Sequence, residues 1–166
     1  NYKTNKIRAD ETEDLVKGFG RKCISVQADI SKENEINLLF DECEKQLGSI
    51  SGFVNSAGVV EPYGIIAELR NDELETLINL NVNGAILGSR EAVKRMSTKY
   101  GGEGGSIVLL SSVSSRLGSP GACVPYAASK GAVDALGWGL SPIFAKKSME
   151  SMPYLVSTGF FGMFFF

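Results

Sequence analysis

Tyr126 and Lys130 stand four residues apart in the run Tyr126-Ala127-Ala128-Ser129-Lys130-Gly131. On a helix that spacing puts both side chains on one face. A free phenol titrates near ~10, too high for ready proton exchange at neutral pH. An ammonium within reach favours the phenolate and brings that value down. Ser111 and Ser112 close an apolar run ahead of the pair and offer a hydroxyl to a reacting oxygen. Such a set suits proton transfer to or from a carbonyl or alcohol oxygen. Tyr2 and Lys6 repeat the spacing with no apolar strand and no serine before them, so spacing alone leaves Tyr126 open as an ordinary surface residue of a helix.

Other chemistries are excluded by composition. The 166 residues contain no histidine, which removes every Ser-His and Cys-His scheme and every histidine-based metal site. Cys23, Cys43 and Cys123 form no CxxC pair, against a disulfide framework or a zinc site and in favour of a reducing compartment, hence the cytoplasm. A net charge of −2 without a basic run points away from nucleic acid and from an acidic membrane surface. The polar first eleven residues hold no signal-peptide core, and the Phe-rich residues 159–166 are too few to span a bilayer. Gly101-Gly102-Glu103-Gly104-Gly105 resembles a phosphate loop but precedes a strand, so it reads as a flexible turn.

The elements that must position Tyr126 alternate between helix and strand. Residues 11–17 read as a helix end stopped by Gly18 and Gly20, and residues 23–28 as a short strand. Ser31 suits a cap for a helix carrying Ile36, Leu39, Phe40 and Cys43, closed by Gly48. A second strand covers 50–54, a long helix runs from Asp72 to about Lys99, and Ile107-Val108-Leu109-Leu110 forms an apolar strand. A Ser/Gly/Pro loop, 111–125, leads into the helix that starts near Tyr126. This order predicts an α/β fold of βαβ units, a doubly wound parallel sheet of Rossmann type. Parallel strands are expected near 22–28, 50–55 and 105–111, with ligand chemistry beyond their carboxyl ends. Asp29, residues 55–58 and the stretch from Ser111 are therefore the places to search.

Asn55-Ser56-Ala57-Gly58 follows a strand, Asn81-Val82-Asn83-Gly84 lies within the long helix, and Ser111-Ser112 precedes Tyr126 and Lys130, in that order. The series resembles the short-chain dehydrogenase/reductase family, from about residue 1 to about 141. The loop containing Arg116-Leu117-Gly118-Ser119-Pro120-Gly121 is similar to that of bacterial-type, glucose-dehydrogenase-like members. The resemblance implies hydride transfer between NAD(P) and a carbonyl or alcohol substrate. It maps an Asn-Ser-Tyr-Lys tetrad onto Asn81, Ser112, Tyr126 and Lys130. Tyr126 is then the general acid/base, Ser112 holds the reacting oxygen, and Lys130 holds the nicotinamide ribose and lowers the Tyr126 pKa. Asn81 supports a relay water, Asp29 contacts the adenine, and Asn55, Ala57 and Gly58 line the cofactor cleft. Asp29 equally suits a cap on the next helix, Asn81 a buried helix polar group, and Ser111 the role of Ser112, whose spacing from Tyr126 is one residue longer than the family's commonest. The family commonly uses the long helix and the Tyr-bearing helix for subunit contacts, so a homo-oligomer is expected. Gly84, Ala85 and Gly88 would permit close helix packing.

The family pattern fails at both ends. The glycine-rich turn after the first strand, which seats the pyrophosphate at a helix N-terminus, is absent, as are that strand and its helix. This implies an incomplete, N-terminally truncated fold with one sheet face uncovered. Pro142 interrupts the last helix, at a cost of about 3 kcal/mol if interior, and the likeness is lost from Ser148. The expected organisation is a partial dinucleotide-binding and catalytic domain over 1–145 and a divergent tail over 146–166. A reading-frame slip gives one account of the tail, because Met149-Glu150-Ser151-Met152-Pro153 shifted by a frame can encode Gly-(Val/Ile)-Asn-Ala. Two outcomes are open: an active oxidoreductase, or an inactive truncated or frame-shifted product that binds no cofactor. A different doubly wound protein, such as a methyltransferase, leaves the Ser-Tyr-Lys order unexplained. The stretch Asn1-Tyr2-Lys3-Thr4 ends the expected second strand without an acid and with a cation, which favours NADP over NAD. No metal site is expected.

Overall fold

The computed structural model describes residues 1–141 and, as backbone only, 154–157. Its helices are α1 (Lys6–Gly18), α2 (Glu33–Leu47), α3 (Asn71–Ile78), α4 (Gly84–Met96), α5 (Ser114–Leu117) and α6 (Val124–Leu140). Strands β1 (Gly52–Asn55), β2 (Ser106–Leu109) and β3 (Tyr154–Ser157) form a parallel sheet in the order β1-β2-β3. Register pairs Asn55 with Leu109 and Leu109 with Ser157. The expected parallel α/β fold is therefore present, with strands of four residues each. β3 lies within the expected tail; the Pro142 and Met149–Pro153 expectations fall on residues outside those described.

Several expectations are corrected. The predicted strand at 22–28 reduces to one parallel bridge between Tyr2 and Gln27. Tyr2 N donates to the Val26 carbonyl at 3.1 Å and Ala28 N to the Tyr2 carbonyl at 2.9 Å. With no neighbour on its other side among the described residues, the segment has no second ladder to regularise it. Ser31 does not cap α2. Lys32 occupies the N-cap without a side-chain bond, and the Ser31 N–H and hydroxyl turn back to Asp29 Oδ1. The long helix is not continuous: a π-turn over Asn79–Asn83 separates α3 from α4. The loop before Tyr126 contains the short α5. The 101–105 turn is close-packed. A Cβ on Gly102 would lie 2.4 Å from the Arg95 carbonyl oxygen, and one on Gly105 2.6 Å from the Ser51 carbonyl oxygen. Gly102 and Gly104 donate their N–H groups to the Ser97 and Met96 carbonyls, which leaves no phosphate cradle there.

Apolar spacing decides the packing. Ile36 and Phe40, a helical turn apart on α2, are buried against α4 and β1, with the Phe40 and Phe53 rings 5.5 Å apart. Arg95 on α4 lies over the Phe40 ring and pairs with Glu44 on α2 at 3.0 Å and with buried Glu91 at 2.6 Å. Small residues on α4 let it approach: a Cβ on Gly84 would sit 2.9 Å from the Ile30 carbonyl oxygen, and one on Gly88 2.7 Å from the Phe53 ring. The small-residue stripe thus closes contacts within the chain. In β1, Phe53 and Asn55 face this layer while Val54 is 61% exposed on the other face. α6 ends at Leu140. Its cap Ser141 is extended, as the residue before a proline favours. Among the described residues no helix is long and apolar enough to cross a membrane.

Candidate active site

Parallel pairing brings the carboxyl ends of β1 and β2 to one edge. The ladder continues there, with Leu110 N donating to the Asn55 carbonyl at 3.0 Å. The segments that follow, 55–59 and 110–112, emerge side by side where such sheets place ligands. α6 enters the same region. Pro125 lies in its first turn, where a missing N–H costs no helical bond.

Lys130 is 6% exposed, and its ammonium donates to the Leu110 carbonyl at 2.7 Å. It lies 5.8 Å from the centroid of the Tyr126 ring, so the i,i+4 pair shares one face as its spacing requires. Burial pushes the Lys130 ammonium below its ordinary value, partly opposed by the negative charge of Asp134. Tyr126 is half-buried. Ser111 donates its hydroxyl to the Lys130 carbonyl at 3.2 Å, tying β2 to α6. Ser112 Oγ accepts the Ser114 N–H at 3.2 Å at the start of α5.

Asn81 is fully buried in the π-turn, and its amide is held at both ends. Oδ1 accepts Val59 N–H at 2.9 Å, while Nδ2 donates to the Val59 carbonyl at 2.8 Å and to Ser129 Oγ at 3.0 Å. Ser129 in turn donates to the Tyr126 carbonyl at 2.7 Å. A Cβ on Gly58 would lie 3.1 Å from Asn81 Oδ1 and 3.6 Å from Lys130 Nζ, so a small residue is needed where the two meet. Asn81, Gly58, Lys130 and Tyr126 are thereby brought together. Residue spacing did not single out Ser129, Val59 or the Leu110 carbonyl. Ser129 alone carried a signal, three residues after Tyr126 and next to Lys130.

Asn55 and Ala57 line a slot of about 510 Å³ between the Tyr2–Gln27 pair and β1, together with Ile30, Phe40 and Phe53. Asp29 lies beside this slot's far wall and forms an ion pair with Lys3 at 2.8 Å. Burial would raise the Asp29 carboxyl. The Lys3 ammonium and the Ser31 N–H and hydroxyl more than offset that and hold it down at about 2. Asp29 therefore forms a turn with Ser31 ahead of α2 and does not cap the helix itself. Among the described residues no His, Cys, Asp or Glu cluster suits a metal ion.

The order of these parts along parallel strands matches a known family. The family model described as short chain dehydrogenase covers residues 2–159. The chain belongs to the short-chain dehydrogenase family. The match continues past residue 148, where the sequence likeness was expected to end. A relative, the uncharacterized oxidoreductase YgfF of Escherichia coli strain K12, is 44% identical over 141 residues, which is 85% of this chain and 57% of that protein. A short chain dehydrogenase from Burkholderia cenocepacia J2315 in complex with NADP has a TM-score of 0.78 at 25% identity, over 90% of this chain and 59% of that one. A Burkholderia phymatum short chain dehydrogenase/reductase in complex with NAD reaches 0.81 at 26% identity, over 94% and 54%. The chain thus spans about half the length of the relatives it matches.

Proposed function

We propose that this chain carries the proton-transfer centre of a nicotinamide-dependent oxidoreductase acting on a carbonyl or alcohol, with Tyr126 as general acid/base. The observation that carries the reading is the buried Lys130 ammonium, set 5.8 Å from the Tyr126 ring centroid and anchored on the Leu110 carbonyl. A fixed cation there favours the phenolate when Tyr126 gives its proton to a carbonyl oxygen. Ser112 is the better serine for the reacting oxygen. Ser111 directs its hydroxyl at the α6 backbone, whereas Ser112 accepts one N–H and keeps its proton to donate. Asn81 holds the segment after β1 against α6, in support of its place in the tetrad.

The residues fit the nicotinamide end of the cofactor. Gly58 is small where a Cβ would crowd Asn81 and Lys130, and Asn55 and Ala57 line the adjoining slot. When bound, a nicotinamide cofactor would supply hydride chemistry here; Lys130 would hold its ribose, and Tyr126 would move the matching proton. Asp29 takes the adenine end. We favour NADP over NAD on Lys3, whose side chain is 63% exposed and whose ammonium, paired with Asp29, would meet a 2′-phosphate there. Exposed Ile86 on α4 and Trp138 on α6 support self-association of like subunits.

The test mixes the purified chain, and the same chain extended to its relatives' length, with NADPH and a panel of aldehydes and ketones. Turnover that Tyr126→Phe lowers by at least about 100-fold, with NADPH binding kept, is expected. Full turnover in Tyr126→Phe would assign the proton to another group. Cofactor binding by the extended form alone would establish the inactive reading for this chain.

A further inference from the structure

We propose that Ser129 is a positioning residue, a latch that holds the Tyr126 turn of α6 against the segment that follows β1. The proposal rests on the reading that Tyr126 handles the proton. Ser129 is 0% exposed and touches no reacting atom in that reading; it acts through its two partners. A hydroxyl has one proton to give and lone pairs to receive. Here the proton goes to the Tyr126 carbonyl at 2.7 Å, and the oxygen accepts from Asn81 Nδ2 at 3.0 Å.

Asn81 completes the latch. Its amide clasps the Val59 backbone from both sides, at 2.9 and 2.8 Å. The carbonyl at one end and the two N–H donors at the other are thereby all engaged, which fixes the amide's orientation. Val59 adjoins Gly58, the residue whose missing side chain leaves room between Asn81 and Lys130. The path from Val59 through Asn81 and Ser129 to the Tyr126 carbonyl links segments 22 and 48 residues apart in sequence. Asn81 can reach both because the π-turn re-aims it from the α3–α4 helix. The Asn81–Ser129 link is buried and the other three are part-buried, so at the central link water does not readily replace a lost bond.

Ser129→Ala removes both bonds and little volume. Amide hydrogen exchange and steady-state kinetics on the full chain provide the test. Exchange at the Val59 N–H is expected to quicken about tenfold in Ser129→Ala, with Ile107 and Leu109 in β2 unchanged. Turnover should fall about tenfold in kcat while NADPH affinity stays within about twofold. Ser129→Thr, which keeps the hydroxyl, should restore both. Adding Ser129→Ala to Asn81→Ala should slow kcat no further, because one latch is broken either way. Unchanged Val59 exchange, an unchanged kcat in an active chain, or losses that simply add would overturn the proposal. If the unmodified chain shows no turnover with any carbonyl, the enzyme reading fails by itself. Exchange at Val59 then decides whether Ser129 is the latch.

Discussion

Lys130 is the residue whose environment has the clearest measurable signature. Its ammonium is buried and held below its ordinary value by that burial, so the unfolded chain binds the proton more readily than the folded one. Stability contributed by this group therefore rises with pH between the lowered folded value and the ordinary 10.5. Against Lys130→Met, the native chain should gain stability as pH rises toward 10.5, read by urea unfolding at each pH. A constant difference would mean that the ammonium is solvated. The groups flanking Lys130 show what a sequence can and cannot disclose. That Tyr126, Lys130 and Asn81 would lie in one region was legible from their side-chain types and their order along the chain. The Leu110 carbonyl and Val59 amide were not, because backbone acceptors and donors are the same at every residue. Ser111 and Ser112 were interchangeable by spacing and differ in their hydrogen bonds, Ser111 to the Lys130 carbonyl and Ser112 from the Ser114 N–H.

At the scale of elements, the close approach of α4 makes two glycines respond oppositely. Gly84→Ala would drive a Cβ to 2.9 Å from the Ile30 carbonyl oxygen, which is backbone and cannot swing aside. The overpacking outweighs the gain in helix propensity, and a net loss of about 1–2 kcal/mol is expected by thermal or urea unfolding. Gly139 on α6 has open space around its Cβ position, so Gly139→Ala should stabilise by about 0.5–1 kcal/mol. An equal response at both sites would show that propensity alone governs them. The helices themselves were legible from apolar spacing, as Ile36 and Phe40 on α2 demonstrate. The π-turn at Asn79–Asn83 was not, since one widened turn barely disturbs that spacing. The strand expected at 22–28 failed for a non-local reason: β-prone residues form a strand only where partners exist, and among the described residues this segment has a single backbone bridge, Gln27 to Tyr2.

Across the whole molecule, the Lys3–Asp29 pair joins the N-terminal segment to the loop before α2. If Lys3 selects the cofactor, Lys3→Ala should narrow the preference for NADPH over NADH about tenfold in Kd and leave NADH binding unchanged. A preference that does not move would put selection elsewhere. The slot between the Tyr2–Gln27 pair and β1 has a consequence that concerns neither cofactor nor catalysis. Among the described residues β1 is paired on one side only, so its outer backbone donors and acceptors form a template. Val54 adds an exposed apolar side chain on the face away from α4. Such an edge recruits strands from neighbouring molecules, and the tendency grows with protein concentration. Light scattering should rise steeply as the purified chain is concentrated. Val54→Lys, which sets a charge on the strand where no packing opposes it, should raise the soluble concentration several-fold without changing the fold seen by circular dichroism. Scattering that Val54→Lys leaves unaltered would place the adhesive surface elsewhere. The architecture that opens the slot thus also limits how crowded a solution this chain can tolerate.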